Sequence, residues 1–367
     1  MPLTQITTSN IDTTNSLFFR NRIINGAMMI DQRNAGASFT NSNQNLVGLD
    51  RWRHYGLSGA VLTLQQSTVA PAGFFNSQSV TVTTSTTAND SGGLGTKIEG
   101  NNVSDFNWGT SSGSSVTASF WVRSSVTGTY NVLVSFAGST SNYYYVATYT
   151  VSASNTWEYK TITIAAPPVA AGVFNAGLTA QYAEVRFVIS SSGGPSTTAN
   201  TWSTSATPKS TGCVDLASNA GATFYVTGVQ LEKGTAATAF EYRPFALELV
   251  LCQRYFEKTW SMNTAVGTAT ESNVDWYGTH AQSLASTGAF QFQARPFKVL
   301  KRAAVTMAFW DMAGNSGKWT RYLVGGGPNQ NNTITVDTMD DSGFRAFVAA
   351  GSSTSNVGGH WTASAEL

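Results

Sequence analysis

Between residues 115 and 190 five apolar runs follow one another with only short, turn-forming links: SVTASFWVRS at 115–124, TYNVLVSF at 129–136, YYYVATYTV at 143–151, WEYKTITI at 157–164 and YAEVRFVIS at 182–190. Apolar and polar residues alternate in the clearest of these runs, the pattern of a strand with one buried face, and no helical period separates them. Gly128, Asn142, Asn155 and the Pro167-Pro168 pair supply the turns. Such a succession argues for an antiparallel sandwich. VLTLQQ at 61–66 and SVTVTT at 79–84, parted by a turn at Pro71, Ala72 and Gly73, extend the pattern toward the N-terminus. Residues 89–95 are expected as a Gly/Ser loop and 190–222 as a long polar loop.

Alternation also assigns faces. Val116, Ala118, Phe120 and Val122 share one side of their strand, and Thr117, Ser119, Trp121 and Arg123 share the other. Ala183, Val185, Phe187 and Ile189 likewise oppose Tyr182, Glu184 and Arg186. The aliphatic and Phe sets are the expected core. Trp121, opposite its strand's core side, is then either a platform for a ligand or packing beneath a loop or a neighbouring subunit.

Over residues 224–258 the chain changes character. Phe224, Tyr225, Val226 and Thr227 alternate, and Gly228 shifts the phase so that Val229 and Leu231 continue the inward face, which predicts a β-bulge. After Pro244, tolerated in a helix's first turn, Leu247, Val250, Leu251 and Tyr255 recur at helical spacing, with Leu249, Cys252 and Phe256 as a second stripe. Glu248 near the start, and Arg254 and Lys258 near the end, suit the helix dipole. The second stripe leaves apolar surface for sister helices, so Leu247, Leu249, Val250, Leu251, Cys252 and Phe256 are the expected association residues. A smaller β unit follows, with runs at 289–295, 305–311, 319–324, 333–336 and 344–350 and a last strand in HWTASAEL at 360–367. The expected fold class is mainly β: an antiparallel sandwich over 46–243, a short helical linker over 244–258 and a smaller C-terminal β domain over 259–367, preceded by a segment over 1–45.

Charged residues make up 11% of the chain and the formal net charge is +1, so there is no overall electrostatic footprint for a polyanion and nucleic acid is not an expected partner. No secretory signal follows Met1-Pro2 and no apolar run approaches bilayer length, so synthesis and folding in a cytoplasm are expected, without membrane insertion. Cys213 and Cys252 lack a CxxC spacing and are expected as free thiols. His54, His280 and His360 are too scattered for a zinc motif, and there is no GxSxG, Walker loop or GxGxxG. Asp340-Asp341 leads to Gly343 in an expected solvated loop. No catalytic residue or metal ligand is assigned. Sugar rings stack on Trp and Tyr, and this makes two groups candidates for ligand contact: Tyr144 between Tyr143 and Tyr145, with Trp202; and Trp310, Trp319, Tyr322, His360 and Trp361. For each, core or subunit interface is the alternative.

TGVQLEKG at 227–234, FEYRPFALEL at 240–249 and CQRYF at 252–256 resemble a module of tail-fibre and other virion structural proteins of tailed bacteriophages. NRIINGAMMIDQRNAG at 21–36, followed by Asp50-Arg51-Trp52, and HWTASAEL at 360–367 fit the same pattern in the same order. The chain departs from it at Asp31, where an aromatic is usual, and at Asn34, where Gly is usual. The resemblance implies a jelly-roll sandwich like a carbohydrate-binding module, closed by the TGVQLE strand, then a linker and a C-terminal tip domain, usually in a homotrimer. It further implies an anchoring role for Trp202 and compatibility with a structural calcium ion, for which the sequence shows no dedicated loop; no other cofactor is expected. The expected function is that of a tail fibre or receptor-binding virion protein, not an enzyme. Residues 1–45 would attach to other virion proteins, and β-rich surfaces would meet host polysaccharide or lipopolysaccharide. The alternatives are a capsid decoration or tail-adaptor protein using the sandwich for protein contacts, and a glycan depolymerase. Against the last stands the absence of a regular β-helix repeat.

Overall fold

The computed structural model describes residues 19–41, 46–55, 59–87, 92–190, 196–277, 282–284, 289–291, 294–323, 326–349 and 354–367; the stretch 1–18 and His280 lie outside these. The alternating runs become β1 (Phe39–Asn41), β2 (Leu46–Val47), β3 (Arg53–Tyr55), β4 (Val61–Ser67), β5 (Ser77–Thr84), β6 (Gly93–Glu99), β7 (Val116–Ser124), β8 (Gly128–Ala137), β9 (Asn142–Val151), β10 (Glu158–Ile164), β11 (Gln181–Val188), β12 (Trp202–Ser203) and β13 (Thr223–Lys233). They form a six-stranded sheet ordered β1-β4-β5-β13-β7-β10 and a seven-stranded sheet ordered β12-β9-β8-β11-β6-β3-β2. Every pairing in both sheets is antiparallel. This is the β sandwich expected from the period-two pattern.

Between the sheets Leu62, Leu64, Val80, Val82, Phe120, Val122, Phe224 and Val226 meet Leu94, Ile98, Val132, Val134, Phe136, Ala147, Val185 and Phe187 in one buried cluster. The assigned faces hold for β7 and, with one exception, for β11. A register shift between Gln181 and Ala183 turns Tyr182 into the core, where its ring lies 5.0 Å from Phe136 and 5.9 Å from Trp108. The bulge expected at Gly228 is present: β13 changes register against β7 between Thr227 and Gln230, and Gly228 has φ +61. β6 corrects the sequence reading, which treated 89–95 as a loop. It is a central strand whose Gly93 and Gly95 pair with Val188 and Arg186. Glycine content mimics a turn signal in sequence, and here it marks a close approach of strands instead.

The helix α1 (Phe245–Gln253) begins directly after Pro244, as expected, but stops short of 258. Arg254 and Tyr255 turn the chain, and β14 (Phe256–Lys258) pairs with Thr362–Ser364. The C-terminal unit continues with β15 (Asp275–Tyr277), β16 (Gln282–Leu284), β17 (Ala289–Gln291), β18 (Arg295–Pro296), β19 (Thr306–Trp310), β20 (Lys318–Leu323), β21 (Pro328–Met339), β22 (Gly343–Ala349) and β23 (Thr354–Ser364). Its sheet runs β14-β23-β20-β21-β22-β17-β16, with β15 and β19 also on β23 and β18 on β22. Phe297, Phe309, Trp319, Phe344, Val348, Val357 and Trp361 form its core.

Residues 21–36 do not stand apart as a separate segment. Asn21 Nδ2 donates to the Val229 carbonyl (3.0 Å), Arg22 N to Leu231 O (2.9 Å), and Val229 N to Gly26 O (2.9 Å), so the segment runs against the last strand of the sandwich. Asn25 Nδ2 donates to Asp50 O (2.9 Å), Trp52 Nε1 to Asn25 O (2.9 Å), and Gln32 Nε2 to both Asp50 Oδ1 and Phe256 O (2.8 Å each). The stretches that carry the resemblance, distant in sequence, meet at one junction. The helix belongs to this junction as well. Cys252 and Tyr255 are buried against Ile24 and Ile30, with Leu249, Leu251 and Leu367 around them. Of the expected association residues, Cys252 and Phe256 are therefore buried within their own chain, Leu247, Leu249 and Leu251 are half-buried, and Val250 is 44% exposed.

Candidate functional site

The outward-facing residues of the seven-stranded sheet fall into rows because each strand's register aligns them. Tyr144 on β9, Ser135 on β8, Glu184 on β11 and Lys97 on β6 are successive partners in one row, and Ser203 on β12 adds to its end. Leu133, Arg186, Gly95 and Arg53 form the next row. The members of these rows on β8, β9 and β11, namely Leu133, Ser135, Tyr144, Glu184 and Arg186, line a cleft of about 380 Å³ together with Asn142 and Gln181, and Lys97 on β6 and Arg53 on β3 stand one and two strands beyond it.

Glu184 and Arg186 are neighbours on one strand face and form a two-pronged ion pair, Nε to Oε1 at 2.7 Å and Nη2 to Oε2 at 3.2 Å. Burial opposes the Arg186 charge, and the adjacent Glu184 carboxylate more than restores it, holding its pKa above the ordinary value. The Arg186 guanidinium lies 3.6 Å over the Tyr55 ring on β3, so its side chain crosses β6. Gly93 and Gly95 permit that crossing: a Cβ at Gly95 would stand 2.8 Å from the Val185 carbonyl and 3.1 Å from Arg186 Cβ. Burial, reinforced by Glu184, pushes the Tyr55 hydroxyl's pKa up, so the phenol stays protonated. Lys97 is half-buried, makes no ion pair among the described residues, and has its pKa lowered by burial and then by Arg53.

The cleft thus offers an aromatic ring, a hydroxyl, side-chain amides, and a carboxylate and guanidinium fixed against each other. These are the groups that stack on sugar faces and bond to hydroxyls. Among the described lining residues Glu184 is the one carboxylate. No group of three or more His, Cys, Asp and Glu that would hold a metal ion occurs among the described residues.

Of the candidates expected from sequence, Tyr144 lies in this cleft. Trp202 sits at the sheet's edge with its ring 5.7 Å from Trp108 and 5.4 Å from Tyr145, and its Nε1 donates to Ala165 O (2.8 Å), which anchors the long loop. Trp121 is half-buried on the outer face of the opposite sheet, 5.4 Å from Tyr159. In the C-terminal unit Trp319, Trp361 and His360 are buried, so they are core and have little surface to present. His360 stacks on Trp260 at 4.2 Å, with Nδ1 3.0 Å from Thr259 Oγ1 and Nε2 3.1 Å from Thr270 O. Burial lowers its pKa, and the carbonyl partner fits a neutral ring protonated at Nε2. Trp310 packs edge-on to Trp260 (5.3 Å), and Tyr322 lies 5.4 Å from Trp276. Ser135, Lys97 and Arg53 were not singled out by sequence. Alternation puts Glu184 and Arg186 on their strand's non-core face, which is the available signal.

No family model matches the chain, and no curated protein matches its sequence. Solved structures similar to it include the enzymatically active domain of bacteriophage CBA120 tailspike protein 4, at 14% identity over 59% of this chain and 22% of that one, with a TM-score of 0.31. The family 11 carbohydrate-binding module of a Clostridium thermocellum cellulosomal cellulase matches at 16% identity over 55% of this chain and 98% of that one, TM-score 0.27. A xylan-binding domain from Paenibacillus barcinonensis matches at 10% identity over 55% and 97%, TM-score 0.29. The neighbours thus include a phage tailspike domain and carbohydrate-binding modules, and the matched region spans about a fifth of the tailspike. At these identities and TM-scores the likenesses carry no argument about what this chain binds.

Proposed function

We propose that this chain is a non-enzymatic, glycan-binding virion protein of the tail-fibre type, which holds host surface polysaccharide or lipopolysaccharide in the cleft of the seven-stranded sheet. The observation that supports this reading is the row from Tyr144 through Ser135 to Glu184, with Arg186 beside it, on the sheet face turned away from the sandwich core, where Ser135 and Glu184 lie buried at the base of the cleft and Tyr144 and Arg186 are half-buried. An aromatic face flanked by fixed polar groups suits a sugar chain laid across the strands. The non-enzymatic part rests on Glu184. A glycosidase of the usual kind needs two carboxyl groups, one of them protonated, and the lining's carboxylate is tied to Arg186. The phage role rests on the sequence resemblance, as do assembly as a homotrimer and attachment to other virion proteins.

The test is isothermal titration of the purified chain with a panel of bacterial lipopolysaccharides and capsular polysaccharides. Binding is expected for at least one, with Tyr144→Ala weakening it about tenfold while the melting temperature stays put. Release of reducing ends from a bound polysaccharide would refute the non-enzymatic reading. Equal binding by Tyr144→Ala would refute the cleft. A stable monomer in sedimentation at micromolar concentration would refute the trimer.

A further inference from the structure

We infer that the cleft selects acidic glycans, and that Lys97 is the ammonium that meets the acidic substituent, a carboxylate or a phosphate ester; this rests on the glycan-binding reading above. The strand register sets Lys97 directly beside Glu184, and Arg53 and Arg186 both beside Gly95, on the same outer face. Three cations are therefore gathered around one carboxylate. That carboxylate is already committed, since both Glu184 oxygens accept from Arg186. The next acid along the chain from Lys97, Glu99, is held by Arg254 at 3.0 Å, and Glu366 is held by Arg33 and Arg51. Arg53 Nη2 donates to the main-chain oxygen of Leu367 at 2.7 Å, which draws it toward the chain's last residues.

Lys97 is left as a half-buried cation with no ion pair among the described residues, and its neighbours make this charge harder to hold. After burial, repulsion from Arg53 outweighs the attraction of the adjacent Glu184, and Arg186 and Arg51 add to it. A partly desolvated, uncompensated ammonium beside a sugar cleft gains from an incoming anion more than a surface lysine does, because the local dielectric is lower and screening weaker. The chain's formal net charge of +1 hides this, since the cations are concentrated on adjacent strands. A neutral sugar chain would leave Lys97 as it is.

The experiment uses the unaltered chain and matched ligand pairs: polygalacturonate and alginate, each with its carboxyl-reduced derivative, and lipopolysaccharide before and after dephosphorylation. In at least one pair the acidic form is expected to bind about tenfold or more tightly, with affinity falling as salt rises. Which pair responds identifies carboxylate or phosphate. Lys97→Gln should erase the difference within that pair and retain binding of the neutral form. Equal binding within every pair overturns the inference and leaves the cleft as a neutral-glycan site. Binding of none of the ligands overturns the inference and the glycan-binding reading together. A difference that survives in Lys97→Gln overturns the assignment to Lys97. Because the matched pairs need no variant, the test does not depend on how Lys97→Gln folds.

Discussion

Asp50 and His54 lie four residues apart, both buried, and their protonation pulls stability in opposite directions over the same pH range. Burial lowers the His54 pKa to about 4, and its Nε2 has no hydrogen-bond partner among the described residues. Between pH 6.5 and 4 the unfolded chain therefore takes up a proton that the folded chain refuses, and stability falls with acid. Asp50 is raised to about 6 by burial, against Arg33 and its bonds from Gln32. Between pH 6 and its unfolded value of 3.8 the folded chain binds the proton first, so stability rises with acid. Each effect is at most about 3 kcal/mol, so the two nearly cancel. His54→Gln should remove the opposing half, and its urea midpoint is expected to rise from pH 7 to pH 5 relative to that of the unaltered chain. Parallel pH profiles for the two proteins would show that the His54 shift is absent.

At the scale of elements, β13 depends on Gly228. With φ +61 the residue sits where side chains are strained, and a Cβ there would meet the Phe74 ring at 2.6 Å. The bulge it makes keeps Val226 and Leu231 both in the core despite the register shift. Gly228→Ala is expected to cost about 2 kcal/mol, from backbone strain and displacement of Phe74, and to lower the melting temperature by several degrees. An unchanged melting temperature would mean that the bulge is not needed. The helix presents a different case. Its Glu248 accepts from the Asn25 backbone N–H and pairs with Arg243 at 3.3 Å, so this short helix is held by the junction around it more than by its own amphipathicity.

For the whole molecule, the junction decides whether sandwich and C-terminal unit behave as one body. Glu366 is gripped by Arg51 and by Arg33 (3.1 Å), Arg302 donates to Ala365 O (2.8 Å), Glu366 O (3.0 Å) and Thr179 O (2.8 Å), and Arg254 pairs with Glu99. Burial would raise the Glu366 pKa, and Arg51 and Arg33 bring it below the ordinary value instead. Glu366→Ala would strand the buried Arg51 charge, at a cost of about 3–5 kcal/mol. Calorimetry is expected to show one unfolding transition for the unaltered chain and two for the variant, as the units separate. A single transition in both would mean that the remaining contacts suffice to couple them.

The sequence by itself determined the long alternating strands such as β7, β8 and β11, which face of β7 points inward, the bulge at Gly228 and the helix start after Pro244. Each of these rests on neighbours within a few residues, through alternation, the freedom of glycine or the fixed φ of proline. What only the tertiary structure decided is which strands lie side by side. Lys97, Ser135, Tyr144 and Glu184 come from four strands, and their meeting depends on register between segments far apart in the chain. Period-two alternation reports a residue's face and not its neighbour across the sheet, so the cleft was not legible even where its residues were. The same limit hid β6, whose glycines signal a turn locally and serve as a floor for Arg186 once β11 lies beside it. It also concealed that residues 21–36, the helix and the chain's last residues share one junction, since burial there is shared by segments more than 200 residues apart, as in the bonds from Gln32 to Phe256 and from Arg33 to Glu366.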